Sequence, residues 1–305
     1  MAEHTDETVR QDYERLSMNH PAYYLGCPVW TWPTWRGTIY PQSAPQKRWL
    51  HHYSTKFNCV EGNSTFYGIP RPETVARWAS ETVDGFRFAL KFPKSISHDS
   101  SLIDAQMETE AFLELLSILK NADRLGPTFL QLSPYFAPRQ LPALKQFLMG
   151  LPDDFPFAVE VRHAGWFEPT VERELDSLLA ELQMDRVIFD SRPLFSAEPT
   201  DEYEIKSQNR KPQVPIRKQA TGKFPLLRLI GGNQPERVDP WIDEWVEQVS
   251  NWIGEGRVPF VFTHAPNDEF APQIACRFHQ ALSQKIELPP QPSWETPPAQ
   301  QLDLF

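Results

Sequence analysis

The sequence predicts an α/β protein, a single (β/α)8 TIM barrel. Three observations carry this. Short apolar runs of strand length alternate with amphipathic stretches of helix length, the pattern of parallel strands joined by crossover helices. Eight such runs can be found, the number that closes a barrel. The 305-residue chain accommodates one barrel of roughly 250 residues with additions at its ends. An open doubly wound sheet is the alternative, but no GxGxxG follows the first strand and there is no Walker lysine motif.

Residues 1–21 are polar and charged and read as a loose N-terminal arm, the barrel domain as residues 22–286, and residues 287–305 as a Pro-rich tail. The first strand is Tyr23–Cys27, stopped by Pro28 and followed by a loop with Trp30, Trp32 and Trp35. That Trp cluster serves either packing or the stacking of a sugar or base. A helical stretch, Lys47–Lys56, leads to the strand at Cys59–Val60. Pro72–Glu81 is a helix with Pro in its first turn. Phe86–Phe92 alternates cleanly and is a strand. Then come helix Met107–Asp123, strand Thr128–Leu132, helix Pro138–Met149, strand Phe157–Val161, helix Glu168–Leu182 and strand Arg186–Asp190. Strand Leu226–Ile230, helix Pro240–Ile253, strand Val258–Thr263 and helix Phe270–Ser283 complete the set.

Between strands six and seven, residues 191–225 form a long excursion. A structureless loop of that length reads as a lid or binding loop. Its second half carries Arg210, Lys211, Arg217, Lys218 and Lys223 with no acid. Gly231-Gly232 is too little for a phosphate loop, although anion sites occur near strands seven and eight of such barrels.

The net charge of −10 argues against a protein that coats nucleic acid, while leaving room for a local basic patch. Cys27, Cys59 and Cys276 have no regular spacing, as in a reduced, cytoplasmic protein. The N-terminus has no apolar core of a signal peptide, and no apolar run approaches the ~18 residues of a membrane span. The expectation is a soluble, cytoplasmic protein.

Function is sought at the strand tips. Side chains alternate along a strand, so the phenylalanines of Phe86–Phe92 face the helices and Arg87, Ala89 and Lys91 face inward. The same parity turns Glu160 and Arg162 inward, sets Gln131 beside Phe129, opposes Arg228 to Leu227 and Leu229, and groups Glu61 with Asn63. Asp190 shares a face with Ile188. The expected mouth is therefore Glu61, Asn63, Lys91, Gln131, Glu160, Arg162, Asp190 and Arg228, with His98, His163, Trp166 and His264 closing over it. Charges of both signs at this density must pair with one another or with a polar ligand; Glu160–Arg162 and Lys91–Glu61 also read as salt bridges that fix strand register. His98, Glu160, His163, Asp190 and His264 are ligand types for a divalent metal. No HxH or HExxH spacing supports one, and Lys91, Arg162 and Arg228 would repel it. The metal stays a candidate cofactor, but the cationic mouth suits a phosphate, carboxylate or nucleotide better. Lys91 is also a candidate Schiff-base lysine.

The stretches FNCVEGNSTFYGIP, FRFALKFPKSISH, LQLSPYF, FAVEVRHAGWF and VIFDSRP, within residues 24–281, resemble the bacterial YecE-like family, a domain-of-unknown-function family. The resemblance implies a TIM barrel. It also implies a shared strand-tip set of Glu61, Asn63, Lys91, His98, Gln131, Glu160, Arg162 and His163, and it brings no activity with it. Thr263-His264 stands where many members have an Asn-Asn pair. The barrel is also distantly similar to the xylose isomerase and endonuclease IV group, at the level of fold alone.

The last five residues, Gln301, Leu302, Asp303, Leu304 and Phe305, resemble the bacterial sliding-clamp-binding peptide. The Gln amide supplies hydrogen bonds, Leu302, Leu304 and Phe305 fill an apolar cleft, and the Pro-rich stem holds them away from the barrel. The sequence thus supports a hydrolase- or nuclease-like enzyme of DNA metabolism recruited by the clamp. Its alternatives are a small-molecule enzyme acting on a sugar or phosphorylated metabolite, and a non-catalytic clamp accessory.

Overall fold

In a computed structural model, residues 21–288 are described. The N-terminal arm and the Gln301–Phe305 peptide lie outside them. Eight strands follow one another: β1 (Tyr24–Gly26), β2 (Cys59–Gly62), β3 (Arg87–Leu90), β4 (Thr128–Gln131), β5 (Phe157–Glu160), β6 (Asp185–Asp190), β7 (Leu226–Ile230) and β8 (Phe260–His264). All pairings are parallel. Six strands run in the order β1-β8-β7-β6-β5-β4, and β2 pairs with β3. Backbone bonds span both gaps: Glu61 N donates to Cys27 O (3.1 Å), and Phe92 N to Phe129 O (3.0 Å). The result is a curled, TIM-barrel-like parallel sheet.

The crossover segments contain α1 (Trp49–Ser54), α2 (Ser64–Tyr67), α3 (Pro72–Glu81), α4 (Gln106–Asn121), α5 (Leu141–Met149), α6 (Pro169–Glu181), α7 (Glu202–Gln208) and α8 (Asp239–Gly254), and α9 (Ala271–Ser283) follows β8. The helices predicted from periodicity reappear with ends shifted by a few residues. Pro138–Gln140, for example, is a 3₁₀ turn ahead of α5, because Pro142 suits a first helical turn. Helices and strands bury a continuous apolar layer between them, including Leu116, Leu130, Val159, Leu179, Leu227 and Val261. Trp35 is buried there and Trp30 packs edge-on against Trp78, so both serve packing. No helix among the described residues is long and apolar enough to cross a membrane.

Inside the curl, a second apolar cluster alternates small and large residues. It includes Cys59, Ala89, Phe129, Ala158, Val187, Leu226 and Phe262. The strand period of two places another residue directly above each of these: Glu61, Lys91, Gln131, Glu160, Phe189, Arg228 and His264. The interior is therefore dry at its base and ionic at its mouth. Arg87 closes the opposite end, its guanidinium on Asp123 Oδ1 at 2.7 Å.

The excursion after β6 differs from a structureless loop. It contains α7, capped by the Asp201 carboxylate, which accepts from Glu204 N at 2.9 Å. Gln208 Nε2 ties the helix back to Leu194 O (2.8 Å) and Ala197 O (3.1 Å). Local capping and these long-range amide bonds make the segment a built element.

β1 passes very close to β2. A Cβ on Gly26 would sit 2.1 Å from Cys59 O, a backbone atom that cannot swing aside. Gly26→Ala is expected to destabilise the fold by about 3 kcal/mol, read as a lower urea midpoint; an unchanged midpoint would show that β1 can shift away from β2.

Candidate functional site

The mouth is organised by Arg228 on β7. Its Nε and Nη2 each donate to one oxygen of Glu61 at 2.8 Å, and its Nη1 donates to Glu160 Oε2 at 2.6 Å. One guanidinium thereby joins β2, β5 and β7. Around this clasp runs a chain of side-chain bonds. Asn63 Nδ2 donates to Glu61 Oε1 at 2.7 Å, and His264 Nε2 lies 3.1 Å from Glu61 Oε2. Arg162 Nε donates to Glu160 Oε1. Arg162 Nη2 (2.9 Å) and Lys91 Nζ (3.0 Å) share Gln131 Oε1. Aromatic faces line the cations: Lys91 Nζ sits 3.8 Å from the centre of Phe66, and Arg162 Cζ 4.3 Å from that of Phe189.

These surroundings set the protonation states. Burial alone would raise the Glu61 carboxyl, but Arg228 and His264 outweigh it and hold it well below the carboxylate range. Burial likewise opposes ionisation of Glu160, and Arg162, Arg228 and Lys91 overcome it, bringing it to about 2. Both carboxylates are ionised and fully engaged, so neither is a general acid near neutrality. His264 is lowered to about 4, by burial first and by Arg228 and Lys211 against the pull of Glu61. Neutral at pH 7, it must carry its proton on Nε2 to bond the ionised Glu61. Lys91 is lowered to about 7, by burial and then by Arg228. Lys211 is lowered to about 8 for the same reasons. Burial raises Asp268 to about 7.

Above the clasp opens a cavity of about 540 Å³. Lys91, Arg162, Arg228 and His264 form its floor, and Lys211 and Asp268 stand beside it. Among the described residues, neither Lys91 nor Lys211 makes an ion pair with a carboxylate. Lys206 and Arg210 line the cavity as well, so its wall carries more cations outside ion pairs than the single unpaired carboxyl, Asp268, could balance.

Of the residues expected at the mouth, Glu61, Asn63, Lys91, Gln131, Glu160, Arg162 and Arg228 are there. Lys91 pairs with Gln131 rather than with Glu61, while the Glu160–Arg162 bridge forms. Four expectations are corrected. Asp190 faces the helices, not the mouth: its carboxylate accepts from Trp245 Nε1 on α8 at 2.8 Å and pairs with Arg192. Ile188 and Asp190 do share a face, but it is the outer one; Val187 and Phe189 point inward. Trp166 does not close over the site. It is fully buried, and its Nε1 donates to Phe136 O at 2.7 Å. His163 is absent from the cavity wall and caps the turn after β5, its Nδ1 accepting from Gly165 N at 3.0 Å. His98 flanks the site rather than entering it. It stands edge-on to Phe66 and accepts or donates at Ser97 Oγ (2.8 Å), with burial and Lys91 lowering it to about 4.

The basic half of the excursion is divided. Arg210 and Lys211 reach the cavity. Arg217 pairs with Glu172 and Lys218 with Glu244, both on the helical layer. Phe189 and Asp268 were missed by sequence reasoning. Phe189 was legible from the parity of β6 once its phase is corrected; Asp268 lies four residues beyond β8, where parity gives no signal. Among the described residues, no group of three or more His, Cys, Asp or Glu side chains is arranged to hold a metal.

The fold and this mouth define a TIM-barrel-like α/β protein with a buried ionic cluster at the carboxyl ends of its strands. The chain belongs to the family described as "Protein of unknown function DUF72", whose profile matches residues 24–301. It is 38% identical over 252 residues to the UPF0759 protein YecE of Escherichia coli K12, covering 82% of this chain and 89% of that protein. It is 27% identical over 150 residues to the UPF0759 protein YunF of Bacillus subtilis, covering 47% and 53%. Crystal structures of DUF72 family proteins from Enterococcus faecalis and Thermotoga maritima superpose with a TM-score of 0.65 each, at 22% identity. They cover 87% and 86% of this chain and 99% of each relative; at that identity the likeness is one of fold.

Removing Arg228 leaves the buried Glu61 carboxylate without its guanidinium and Glu160 with Arg162 alone. Arg228→Met is expected to cost about 3–5 kcal/mol at pH 7. In the native protein, against the effect of burial, Arg228, ahead of His264, holds the Glu61 carboxyl well below the usual carboxylate range, and so below its unfolded value of about 4.3. Its contribution to stability is therefore complete above the unfolded value and disappears as pH falls through the folded one. The deficit of the variant should shrink between pH 7 and pH 3, measured by urea unfolding at both ends. A deficit independent of pH would assign the effect to packing instead of charge.

Proposed function

We propose that the barrel mouth is the active site of an enzyme acting on a small metabolite that carries a phosphate or carboxylate. The observation that carries this reading is the imbalance of the mouth. Glu61 and Glu160 are consumed by Arg228 and Arg162, while among the described residues Lys91 and Lys211 line the cavity with no carboxylate at ion-pair distance, Asp268 being the one further carboxyl on its wall. A buried ammonium without a counter-ion is costly, and an anionic ligand supplies one. The cavity, at about 540 Å³, has the volume of a metabolite site, and the α7 segment stands over it. Carboxylate oxygens that could hold a metal ion are instead occupied by guanidinium groups.

The expected outcome is that orthophosphate, added at constant ionic strength to about ten times its Kd, raises the melting temperature by about 2–4 °C. Lys211→Ala should abolish that rise, and Lys218→Ala, on the helical layer, should leave it unchanged. Failure of phosphate to stabilise the native protein, or a rise that survives in Lys211→Ala, would overturn the reading.

A second reading, an enzyme of DNA metabolism or a non-catalytic accessory brought to the sliding clamp, is favoured by the terminal sequence Gln301-Leu302-Asp303-Leu304-Phe305. It is compatible with the first, since the peptide follows a Pro-rich stem. Here the expected outcome is micromolar binding of the full chain to a purified bacterial clamp, lost at least ~10-fold on deleting Leu304 and Phe305, the two apolar anchors. Equal binding by both chains would exclude the terminal peptide as the docking element, and no binding by either would overturn the second reading.

A further inference from the structure

The cations of the mouth are not equivalent. Arg228 and Arg162 are fixed by carboxylates. Lys211 comes from the excursion, half-buried, with its Nζ 5.8 Å from the centre of Phe189. Lys91 alone combines four features. It directly follows the last residue of β3, hence on a rigid element. It is buried at 7% exposure. Its Nζ is bounded by the Phe66 ring on one side and by a single neutral acceptor, Gln131 Oε1. It also opens onto a cavity shared with a second cation and with Asp268. Desolvation beside another cation is the environment that makes a lysine amine nucleophilic near neutral pH.

We propose that Lys91 forms an imine with an aldehyde or ketone substrate bearing an anionic group, with Lys211 as counter-charge to that group and Asp268 as proton carrier. This rests on the reading of the mouth as a small-molecule site and names the substrate class. The free-base Nζ attacks the carbonyl carbon, forming the C–N bond. The proton that the nitrogen releases is carried to the carbonyl oxygen by way of Asp268, giving the carbinolamine. Asp268 then protonates the hydroxyl, the C–O bond breaks as the nitrogen lone pair forms C=N, and water leaves. Amine, carbonyl and carboxylic acid become iminium, water and carboxylate, with no oxidant, reductant or metal required. The supply of protons is matched to neutrality at both partners: the burial that brings Lys91 to about 7 also brings Asp268 to about 7. Asp268 is held in place through its backbone, whose carbonyl accepts from Trp35 Nε1 at 3.2 Å.

The test is reductive trapping of the full chain at pH 7 with glycolaldehyde phosphate, a two-carbon aldehyde carrying a phosphate, and sodium cyanoborohydride. The site of the secondary amine is read by peptide mass spectrometry. At pH 7 an amine of value about 7 is about half free base, against less than ~0.1% for an ordinary lysine. Lys91 should therefore be modified on the order of 100-fold faster than exposed lysines, to one equivalent, and excess orthophosphate should suppress it. Lys211→Met should still be modified at Lys91 but require more aldehyde. Lys91→Arg should lose the modification; should that variant not fold, the position of the adduct on the native chain decides alone. An adduct on Lys211, or one spread over surface lysines at equal rates, overturns the proposal. Phosphate stabilisation measured on the same sample separates the two readings: stabilisation without a Lys91 adduct defeats the imine and leaves the anion site standing.

Discussion

Three strands far apart in sequence meet in one guanidinium. Arg228 donates to both oxygens of Glu61 and to one oxygen of Glu160, and all three side chains are buried. Each charge alone would cost several kcal/mol to desolvate. The geometry recovers that cost only because the guanidinium fork matches a carboxylate bidentately. Such a cluster does not make a protein more stable than an apolar core of equal volume would. What it does is fix positions. Asn63 and His264 are placed by Glu61, Arg162 by Glu160, Gln131 by Arg162, and Lys91 by Gln131. A disturbance at Arg228 therefore reaches every polar group on the floor of the cavity.

The layer beneath explains why the clasp stays dry. Cys59, Ala89, Phe129, Ala158, Val187, Leu226 and Phe262 fill the base of the curl, each two residues before a member of the mouth. Small residues on β2, β3 and β5 leave room for the aromatic rings on β4 and β8. The rings then serve twice: Phe129 and Phe189 exclude water from the ionic layer, and both offer their faces to Arg228, at 5.2 Å and 5.4 Å. Low dielectric strengthens the pairs that are made and raises the cost of the pairs that are not. Lys91, Lys211 and Asp268 carry that cost, and their titration is drawn toward neutrality as a result. The chemistry of the site thus resides in the groups that the clasp leaves over.

The segment after β6 shows how the same residue types serve two purposes. Arg217 and Lys218 fasten it to Glu172 and Glu244 on α6 and α8, and Asp201 and Gln208 hold its short helix. This anchoring brings Lys211 to the cavity. Composition alone marks the whole stretch as basic; only two of the five cations reach the mouth.

The α/β alternation, all eight strands, the helices other than α2 and α7, and the inward residues of several strands can be read along the chain. A period of two is a local property: Phe86–Phe92 shows which residues face inward without reference to the rest of the chain, and Lys91 and Glu160 were legible for that reason. Parity fails where both faces are buried. In β6, Ile188 and Phe189 are equally apolar, so the phase, and with it the outward aim of Asp190 toward Trp245, is set by which neighbour offers a hydrogen bond. Trp166 and His163 follow a strand end as a site residue would, yet Phe136 O and Gly165 N claim them. Partners more than 100 residues apart, such as Glu61 with Arg228 or with His264, have no local signature. Neither does Asp268, whose carboxyl becomes a candidate proton carrier only because the tertiary fold half-buries it on the wall of the cavity that Lys91 and Lys211 also line. The pattern of polarity was written along the chain; which charges are neutralised and which are left to act was decided by the packing that brings them together.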